Sequence, residues 1–224
     1  MALRQQLLII TGASGIVGSG MARAFLEAGT TVVAPARSPP SQAKVQAELA
    51  GWLADGQLHV PVADWGSVEG AAALASFVEQ LGGGGGGVDH VVSIAGGVAR
   101  DAGPAIATRV APHVWLAKAA VPLLAERHTS SYTVVSGMMG EFCPWPEGAL
   151  TAISSAAVYG VSAALRAELA GRPPRCNEIR IGTVIRRDSQ SEHPLLPGRP
   201  AVPSSRVAAV AVGLAAGWQR DQLV

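Results

Sequence analysis

LLIITGASGIVG, at residues 7–18, is a short apolar run that leads into three evenly spaced glycines. The run Leu7–Thr11 is rich in leucine and isoleucine and ends at a glycine, which predicts a β-strand. The next segment, Gly15–Ala28, contains no proline and is closed by Gly29, so it predicts a helix. A second β-branched run begins at Thr31. This stretch therefore indicates a strand, a tight turn, a helix and a second, parallel strand.

The same alternation of short apolar runs and longer alanine-rich segments continues along the chain. We expect further strands at Thr31–Pro35, Leu58–Val62, Val88–Ile94, Tyr132–Ser136 and Ile179–Ile185. We expect further helices at Gln42–Leu53, Val68–Leu81, Ala105–Glu126, Leu150–Ala170 and near Arg206–Ala216. The helix Ala105–Glu126 is expected to bend at Pro112 and Pro122. This pattern predicts an α/β fold, a Rossmann-like doubly wound parallel sheet in three αβα layers. A hydrophobic content of 49% with 15% charged residues suits one domain over residues 1–224.

The composition also argues against several classes of protein. The net charge is +1 and the 17 basic residues are scattered, so a nucleic-acid-binding surface is not expected. Cys143 and Cys176 form no CxxC motif and the five histidines are isolated, which predicts reduced thiols, no metal and a cytoplasmic protein. We expect no membrane contact, because no uninterrupted apolar stretch reaches the roughly 18 residues that a membrane helix needs.

Six consecutive glycines occupy residues 82–87. They have too much backbone freedom to hold regular structure, so we interpret them as a flexible connection before the fourth strand. A phosphate-binding loop would need a strand before it and a helix after it, and the order here is the reverse.

The glycines of the opening stretch have the context of a dinucleotide-binding loop. Gly12 permits the tight turn, Gly15 lets the backbone approach a pyrophosphate, and Gly18 lets the helix pack against the strand. Ser14 and Ile16 lie within the same loop, where the helix N-terminus directs N–H groups toward the phosphates. A merely structural turn is the alternative.

The end of the second strand bears on which dinucleotide is bound. The sequence there is Ala-Pro-Ala-Arg at residues 34–37, without the carboxylate that holds the ribose hydroxyls of NAD. Arg37 can pair with a ribose 2′-phosphate. We expect that no carboxylate lies near Arg37, where it would repel that phosphate. We therefore favour NADP(H) over NAD(H). The alternative is an ordinary solvated arginine.

At this point most of the chain resembles the short-chain dehydrogenase/reductase family. The resemblance is carried by the glycine loop and by four further segments: VADW at 62–65, VDHVVSIAG at 88–96, TVVSGMMG at 133–140 and AAVYGVSAALRAELA at 156–170. It implies cofactor contacts at Asp64 and Trp65, on the adenine side, and at Ala95 and Gly96, where the family has Asn-Asn-Ala-Gly. Both asparagines are replaced.

The last of these segments resembles the helix that carries the family's catalytic Tyr-x-x-x-Lys pair. Its alanine-rich start and its Ala-Glu-Leu-Ala end fix the register, which puts Thr151 at the tyrosine position and Ser155 at the lysine position. Gly137 then occupies the place of the catalytic serine, and Arg109 lies near the place of the fourth residue, asparagine. The resemblance thus implies an atypical member without the catalytic set.

A count of residues that needs no alignment agrees. The chain has two tyrosines, Tyr132 and Tyr159, and two lysines, Lys44 and Lys118, and no lysine follows either tyrosine by four residues. On a continuous helix Tyr159 lies about 12 Å from Thr151 along the axis, so we interpret it as a packing residue. Threonine does not titrate in the range that acid–base catalysis uses.

Two departures concern the end of the chain. The Pro-Gly that follows the family's sixth strand is replaced by Arg186-Arg187, and the chain stops after the helix near Arg206–Ala216, which implies a shortened C-terminus without a seventh strand. The helices Ala105–Glu126 and Leu150–Ala170 resemble the pair through which family members associate, which implies a homodimer or homotetramer.

Three functions are compatible with this sequence. The first is an NADP(H)-binding protein with a degenerate active site, non-catalytic or weakly active, that serves as a redox sensor, scaffold or partner subunit. The second is an NADP-dependent oxidoreductase for a carbonyl or alcohol, in which Ser136, Thr151, Glu141 or His113 polarises the substrate. The third is an interaction module that binds no cofactor. The first is the working hypothesis, because the phosphate loop is present while the family's acid/base residues are not.

Overall fold

The computed structural model describes residues 3–81, 87–96, 102–143, 145–194 and 196–223. Its centre is a six-stranded parallel sheet with the strand order β3-β2-β1-β4-β5-β6. The strands are β1 (Leu7–Ile10), β2 (Thr31–Val33), β3 (Leu58–His59), β4 (His90–Ile94), β5 (Ser131–Gly137) and β6 (Arg175–Ile181). The predicted Rossmann-like fold is confirmed, because the order reverses after β1 as a doubly wound sheet requires.

Seven α-helices stand among the described residues: α1 (Ile16–Glu27), α2 (Pro39–Glu48), α3 (Val68–Leu81), α4 (Ala102–Arg109), α5 (Ala111–Ala120), α6 (Ala149–Glu168) and α7 (Ser204–Ala216). Short 3₁₀ turns cover Ala50–Trp52, Val121–Leu123, Met138–Gly140 and Pro146–Gly148. Helices cover both faces of the sheet. The predicted glycine linker lies outside the described residues except for Gly87, which has a φ of +66°.

Two predicted helices differ in extent from the observed ones. The helix expected over Ala105–Glu126 was predicted to bend at Pro112 and Pro122, and the structure interrupts it near both. The helix α5 begins at Ala111 with Pro112 in its first turn, and a 3₁₀ turn that contains Pro122 follows it. Proline cannot donate the backbone hydrogen bond that a continuous helix needs. The helix expected over Gln42–Leu53 instead begins at Pro39, because the side chains and backbones of Ser38 and Ser41 cap each other.

The sixth strand begins earlier than predicted and stops earlier. It starts at Arg175, and the chain then forms a separate two-stranded sheet from β7 (Val184–Arg186) and β8 (Ala201–Pro203). The start was missed because Arg175 and Glu178 are charged, yet both are buried. The Arg175 guanidinium donates to five backbone carbonyls, those of His128, Thr129, Leu214, Ala215 and Gln219. Buried charge is tolerated where it is hydrogen-bonded in this way.

The segment after α7 lies beside the sheet. Residues 221–223 lie along the outer edge of β6, where the Glu178 N–H donates to the Gln222 carbonyl at 2.8 Å and the Asp221 N–H donates to the Cys176 carbonyl at 2.9 Å. Leu223 forms a parallel bridge with Glu178. A seventh strand would pair with this edge of the sheet, and residues 221–223 occupy the beginning of that position.

The core has two parts, one on each face of the sheet. Successive side chains of a strand point to opposite faces, so Leu8 and Ile10 pack on one side with Phe25 of α1, while Ile9 packs on the other with Leu116 of α5. The two buried faces explain why the strands have nearly continuous apolar runs.

One described helix, at residues 146–168, is long and apolar enough to cross a membrane, with a mean hydropathy of 1.5. Ser154, Ser155 and Ser162 interrupt its apolar residues, so it is not an uninterrupted apolar stretch of about 18 residues. In this structure Val158 and Leu165 of that helix pack with Tyr132 and Val134 of β5 and Cys176 of β6. A helix that packs against a sheet can be as apolar as a membrane-spanning helix, because its inner face is buried.

Candidate functional site

The backbone of residues 12–18 forms a concave surface, here called the cradle, and a side chain at Gly12, Gly15 or Gly18 would crowd it. Gly12 has a φ of +71°, in the left-handed region, and Gly15 precedes the first residue of α1. A Cβ at Gly18 would lie 2.2 Å from the Gly12 carbonyl oxygen, and one at Gly15 would lie 3.2 Å from the same atom. Thr11 Oγ1 fixes the loop to β4 by donating to the Ile94 carbonyl at 3.0 Å.

A dinucleotide fits this cradle. Because Gly15 has no side chain, it cannot cap α1, and the first turn, Ile16–Ser19, contains no carboxylate. The positive end of the helix dipole therefore faces the cradle, which is the arrangement that binds phosphate. Gly12, Ser14, Gly15, Ile16 and Gly18 would hold the pyrophosphate.

A cavity of about 380 Å³ adjoins the loop. Its lining residues are Gly12, Ser14, Pro35, Ala36, Arg37, Ser38, Ser41, Asp64 and Trp65. The predicted adenosine-side residues Arg37, Asp64 and Trp65 are thus brought together with the loop. The hydroxyls of Ser38 and Ser41, which the sequence analysis did not single out, line the same cavity.

Arg37 has a neighbour that the sequence did not reveal. Its Nε donates to Asp64 Oδ1 at 2.7 Å, and both side chains are about half exposed. The expectation that no carboxylate lies near Arg37 was therefore wrong. The two residues are 27 apart in the chain, and the parallel bridge between Ala36 and Val62 brings them together. An exposed pair of this kind is worth about 1 kcal/mol or less, so a phosphate can compete for the guanidinium.

The residues matched to the family's catalytic set converge at the carboxyl ends of β4 and β5. Arg109 Nη2 donates to Ser155 Oγ at 3.3 Å, and a Cβ at Gly137 would lie 3.9 Å from that hydroxyl. A Cβ at Gly96 would lie 3.9 Å from Arg109 Nη1. Thr151 is one turn before Ser155 on α6, and Ala95 precedes Gly96 at the end of β4. Since Ile94 also contacts Gly12, the end of β4 connects this group with the glycine loop.

Ser136, Glu141 and His113 were considered as substitute polarising groups, and each is bound by another side chain. Ser136 Oγ donates to Glu178 at 3.1 Å, and Glu141 accepts from Arg180 at 2.8 Å. His113 is fully buried, and its Nδ1 shares a hydrogen bond with Ser93 Oγ at 2.6 Å. Burial lowers the pKa of His113 to about 4, so the ring is neutral at pH 7. Each of these three groups therefore already has a polar partner.

Tyr159 contacts the turn after β5. Its hydroxyl donates to the Gly137 carbonyl at 2.7 Å, and its ring stacks on the Arg180 guanidinium at 3.6 Å. A Cβ at Gly140 would lie 2.6 Å from the tyrosine ring, so the glycine makes room for it. Burial raises the pKa of Tyr159, which keeps the phenol protonated. These contacts agree with the interpretation of Tyr159 as a packing residue.

Arg186 and Arg187, which replace the family's Pro-Gly, are both held by neighbouring groups. Arg186 donates to carbonyls of its own loop, those of Arg187 and Gln190. Arg187 donates to Ser19 Oγ at 3.2 Å and forms an ion pair with Glu48. Arg186 therefore stabilises the loop after β7, and Arg187 binds that loop to α1 and α2.

Comparison with known proteins supports the fold and the family. A family model described as short chain dehydrogenase matches residues 6–192. An uncharacterized oxidoreductase of Bacillus subtilis, YvrD, is 29% identical over 82 residues, which are 37% of this chain and 30% of that protein. The match thus spans less than a third of that relative.

Solved structures resemble the whole chain. A short-chain dehydrogenase from Burkholderia cenocepacia in complex with NADP has a TM-score of 0.83 at 18% identity, covering 100% of this chain and 97% of its own. A short-chain oxidoreductase from Pseudomonas aeruginosa, described as containing an atypical catalytic center, has a TM-score of 0.82 at 17% identity, covering 98% and 94%. Similarity at such low identity concerns the fold.

Proposed function

This chain belongs to the short-chain dehydrogenase family, and from that premise we propose that it binds NADP(H) in a site whose acid/base residues are degenerate, so that it is non-catalytic or weakly active. The observation that carries the proposal is the phosphate cradle at Gly12, Gly15 and Gly18 beside a cavity of about 380 Å³. A redox sensor, a scaffold or a partner subunit needs such binding without efficient turnover.

The preference for NADP(H) rests on the cavity beside the loop. Arg37, Ser38 and Ser41 line it together, and a guanidinium with two hydroxyls suits a ribose 2′-phosphate. Asp64 would have to release Arg37 or share it with the phosphate. The Burkholderia cenocepacia protein of the same fold is in complex with NADP, which supports a dinucleotide of this kind.

The loss of catalysis rests on the residues beside Arg109. The bound nicotinamide would supply hydride chemistry, but a carbonyl substrate also needs a proton donor. Thr151 occupies the tyrosine's place, and its hydroxyl does not titrate near neutral pH. General acid–base catalysis contributes about 10²–10⁴ in rate, so its absence leaves weak turnover at most. The Pseudomonas aeruginosa protein of the same fold is described as containing an atypical catalytic center.

Replacing Arg37 with glutamine is expected to weaken NADPH binding by about tenfold or more and to change NADH binding by less than about twofold. The reason is that a charge-assisted bond to the 2′-phosphate is lost, and NADH has no such phosphate. Calorimetric titration of both cofactors measures the effect. Arg206→Gln, which removes an exposed arginine from α7, is the matched control. Equal losses for both cofactors would contradict the assignment of Arg37, and no binding of either at millimolar concentration would favour the cofactor-free interaction module.

Steady oxidation of NADPH with a panel of aldehydes and ketones is expected to stay near the rate without protein. The Thr151→Val variant is expected to behave like the wild type, because Thr151 does not supply a proton. Absorbance of the reduced nicotinamide follows the reaction. Rapid turnover that is lost in Thr151→Val but retained in Tyr159→Phe would instead establish an oxidoreductase with a rearranged site.

A further inference from the structure

The cavity beside the glycine loop contains one positive and one negative side chain. Among the residues that line it, all of which belong to the described part of the chain, Arg37 and Asp64 are the charged ones. The lining therefore carries no net charge. NADPH has a phosphate on the ribose 2′-oxygen where NADH has a hydroxyl, and a phosphate monoester carries a charge of about −1.5 to −2 at neutral pH. The balance between these two side chains thus bears on which cofactor the cavity prefers.

The carboxylate of Asp64 is fixed against the Arg37 guanidinium. Asp64 Oδ1 accepts from Arg37 Nε at 2.7 Å and from the Gly66 N–H at 3.2 Å. A Cβ at Gly66 would lie 3.2 Å from that oxygen and 3.4 Å from Arg37 Nη2, so the glycine leaves room for the pair. The guanidinium also lies 5.8 Å from the centroid of the Trp65 ring. A phosphate that reaches Arg37 therefore meets a carboxylate beside it.

The N-terminus of α2 adds few donors to this cavity. Its first two residues, Pro39 and Pro40, have no backbone N–H. The Ser38 N–H donates to Ser41 Oγ at 3.0 Å, and the Ser41 N–H donates to Ser38 Oγ at 3.5 Å. Ser41 Oγ donates in turn to the Ser38 carbonyl at 2.8 Å. Because these groups bond to one another, the distinction between a phosphate and a hydroxyl depends mainly on Arg37.

We propose that Asp64 limits the preference of this protein for NADP(H), because it competes with the 2′-phosphate for Arg37. Two anions that share one guanidinium repel each other, and the cation gains less from the phosphate when a carboxylate is already bound to it. NADH brings no charge to this position, so the competition does not affect its binding. The inference rests on the proposed function, since it takes this cavity as the one that receives the adenosine half of the dinucleotide.

A carboxylate could instead assist the phosphate by holding Arg37 in one orientation. The two side chains of the pair are 41% and 47% exposed, and an exposed pair of this kind holds an arginine only loosely. A phosphate of nearly two negative charges is repelled by a carboxylate that lies a few ångströms away. Competition therefore outweighs positioning, and removal of the carboxylate should strengthen NADPH binding.

Calorimetric titration of the wild type and of Asp64→Asn with NADPH and NADH tests the proposal. Asparagine retains an oxygen that accepts from the Gly66 N–H, so the substitution removes the charge alone. Asp64→Asn is expected to bind NADPH about fivefold more tightly and to change NADH binding by less than about twofold. In an Arg37→Gln background the gain is expected to fall to about twofold or less, because no guanidinium is left to compete for. Asp55→Asn is the matched control, because Asp55 is exposed and precedes β3, at the opposite edge of the sheet.

The outcomes separate this inference from the proposed function. If the wild type and Asp64→Asn bind NADPH equally well, the inference is overturned and the proposed function stands. The same holds if Asp64→Asn binds NADPH more weakly, which would make Asp64 a positioning residue for Arg37, or if it strengthens NADPH and NADH alike. An undiminished gain in the Arg37→Gln background also overturns the inference, since Asp64 would then act on the phosphate directly. If NADPH at millimolar concentration binds only to Asp64→Asn, the inference stands and the proposed function of the wild type fails. Binding of neither cofactor to either protein refutes both.

Discussion

Replacing Gly18 with alanine is expected to abolish dinucleotide binding and to lower the free energy of unfolding by about 3 kcal/mol. The added Cβ would lie 2.2 Å from the carbonyl oxygen of Gly12 and 2.5 Å from its carbonyl carbon. Both are backbone atoms, so the clash can be relieved only if the Gly12 turn and α1 move apart. That movement opens the cradle that would hold the pyrophosphate, and a stability defect and a binding defect follow together.

Urea denaturation and titration with NADPH measure the two effects. Gly213→Ala is the matched control, because Gly213 lies on the exposed side of α7 with nothing within 4 Å of its Cβ position. There the same change is expected to stabilise the protein by about 0.5–1 kcal/mol, because alanine is the better helix former. A Gly18→Ala variant as stable as the wild type would show that the loop does not pack as described.

Acidification is expected to destabilise the protein strongly between pH 6.5 and about 4. Burial lowers the pKa of both His90 and His113 from 6.5 to about 4, with smaller contributions from the charges of Arg175 and Arg109. The unfolded chain therefore binds these protons at a higher pH than the folded chain does. Stability is retained above pH 6.5 and falls below it by about 1.4 kcal/mol per pH unit for each histidine. The two together cost about 5 kcal/mol by pH 4.5.

Urea denaturation at intervals from pH 7.5 to pH 4.5 measures this slope. His113→Asn, which retains a polar partner for Ser93, is expected to remove about half of the slope. His128→Gln is the control, because His128 is an exposed histidine outside the core. A profile that is flat over this range, or a slope that His113→Asn leaves intact, would contradict the assignment of buried neutral histidines.

Much of the fold follows from local sequence. The apolar runs at Leu7–Ile10 and Thr31–Val33 form strands because both faces of the sheet are covered, and the glycine loop between strand and helix has its predicted context. The errors occurred where tertiary contacts outweigh local preference. Arg175 begins a strand because its guanidinium donates hydrogen bonds to five backbone carbonyls of distant segments. The local sequence does not predict these contacts.

The sequence by itself determined the composition of the candidate site: three glycines at fixed spacing, and no lysine four residues after a tyrosine. Only the tertiary structure decided which charges meet there. Arg37 faces Asp64 because neighbouring strand ends lie side by side, and Arg109 reaches Ser155 because α4 packs against α6. The physical reason is that parallel strands separated by long crossovers bring their carboxyl ends to one edge of the sheet, so residues far apart in the chain become neighbours there.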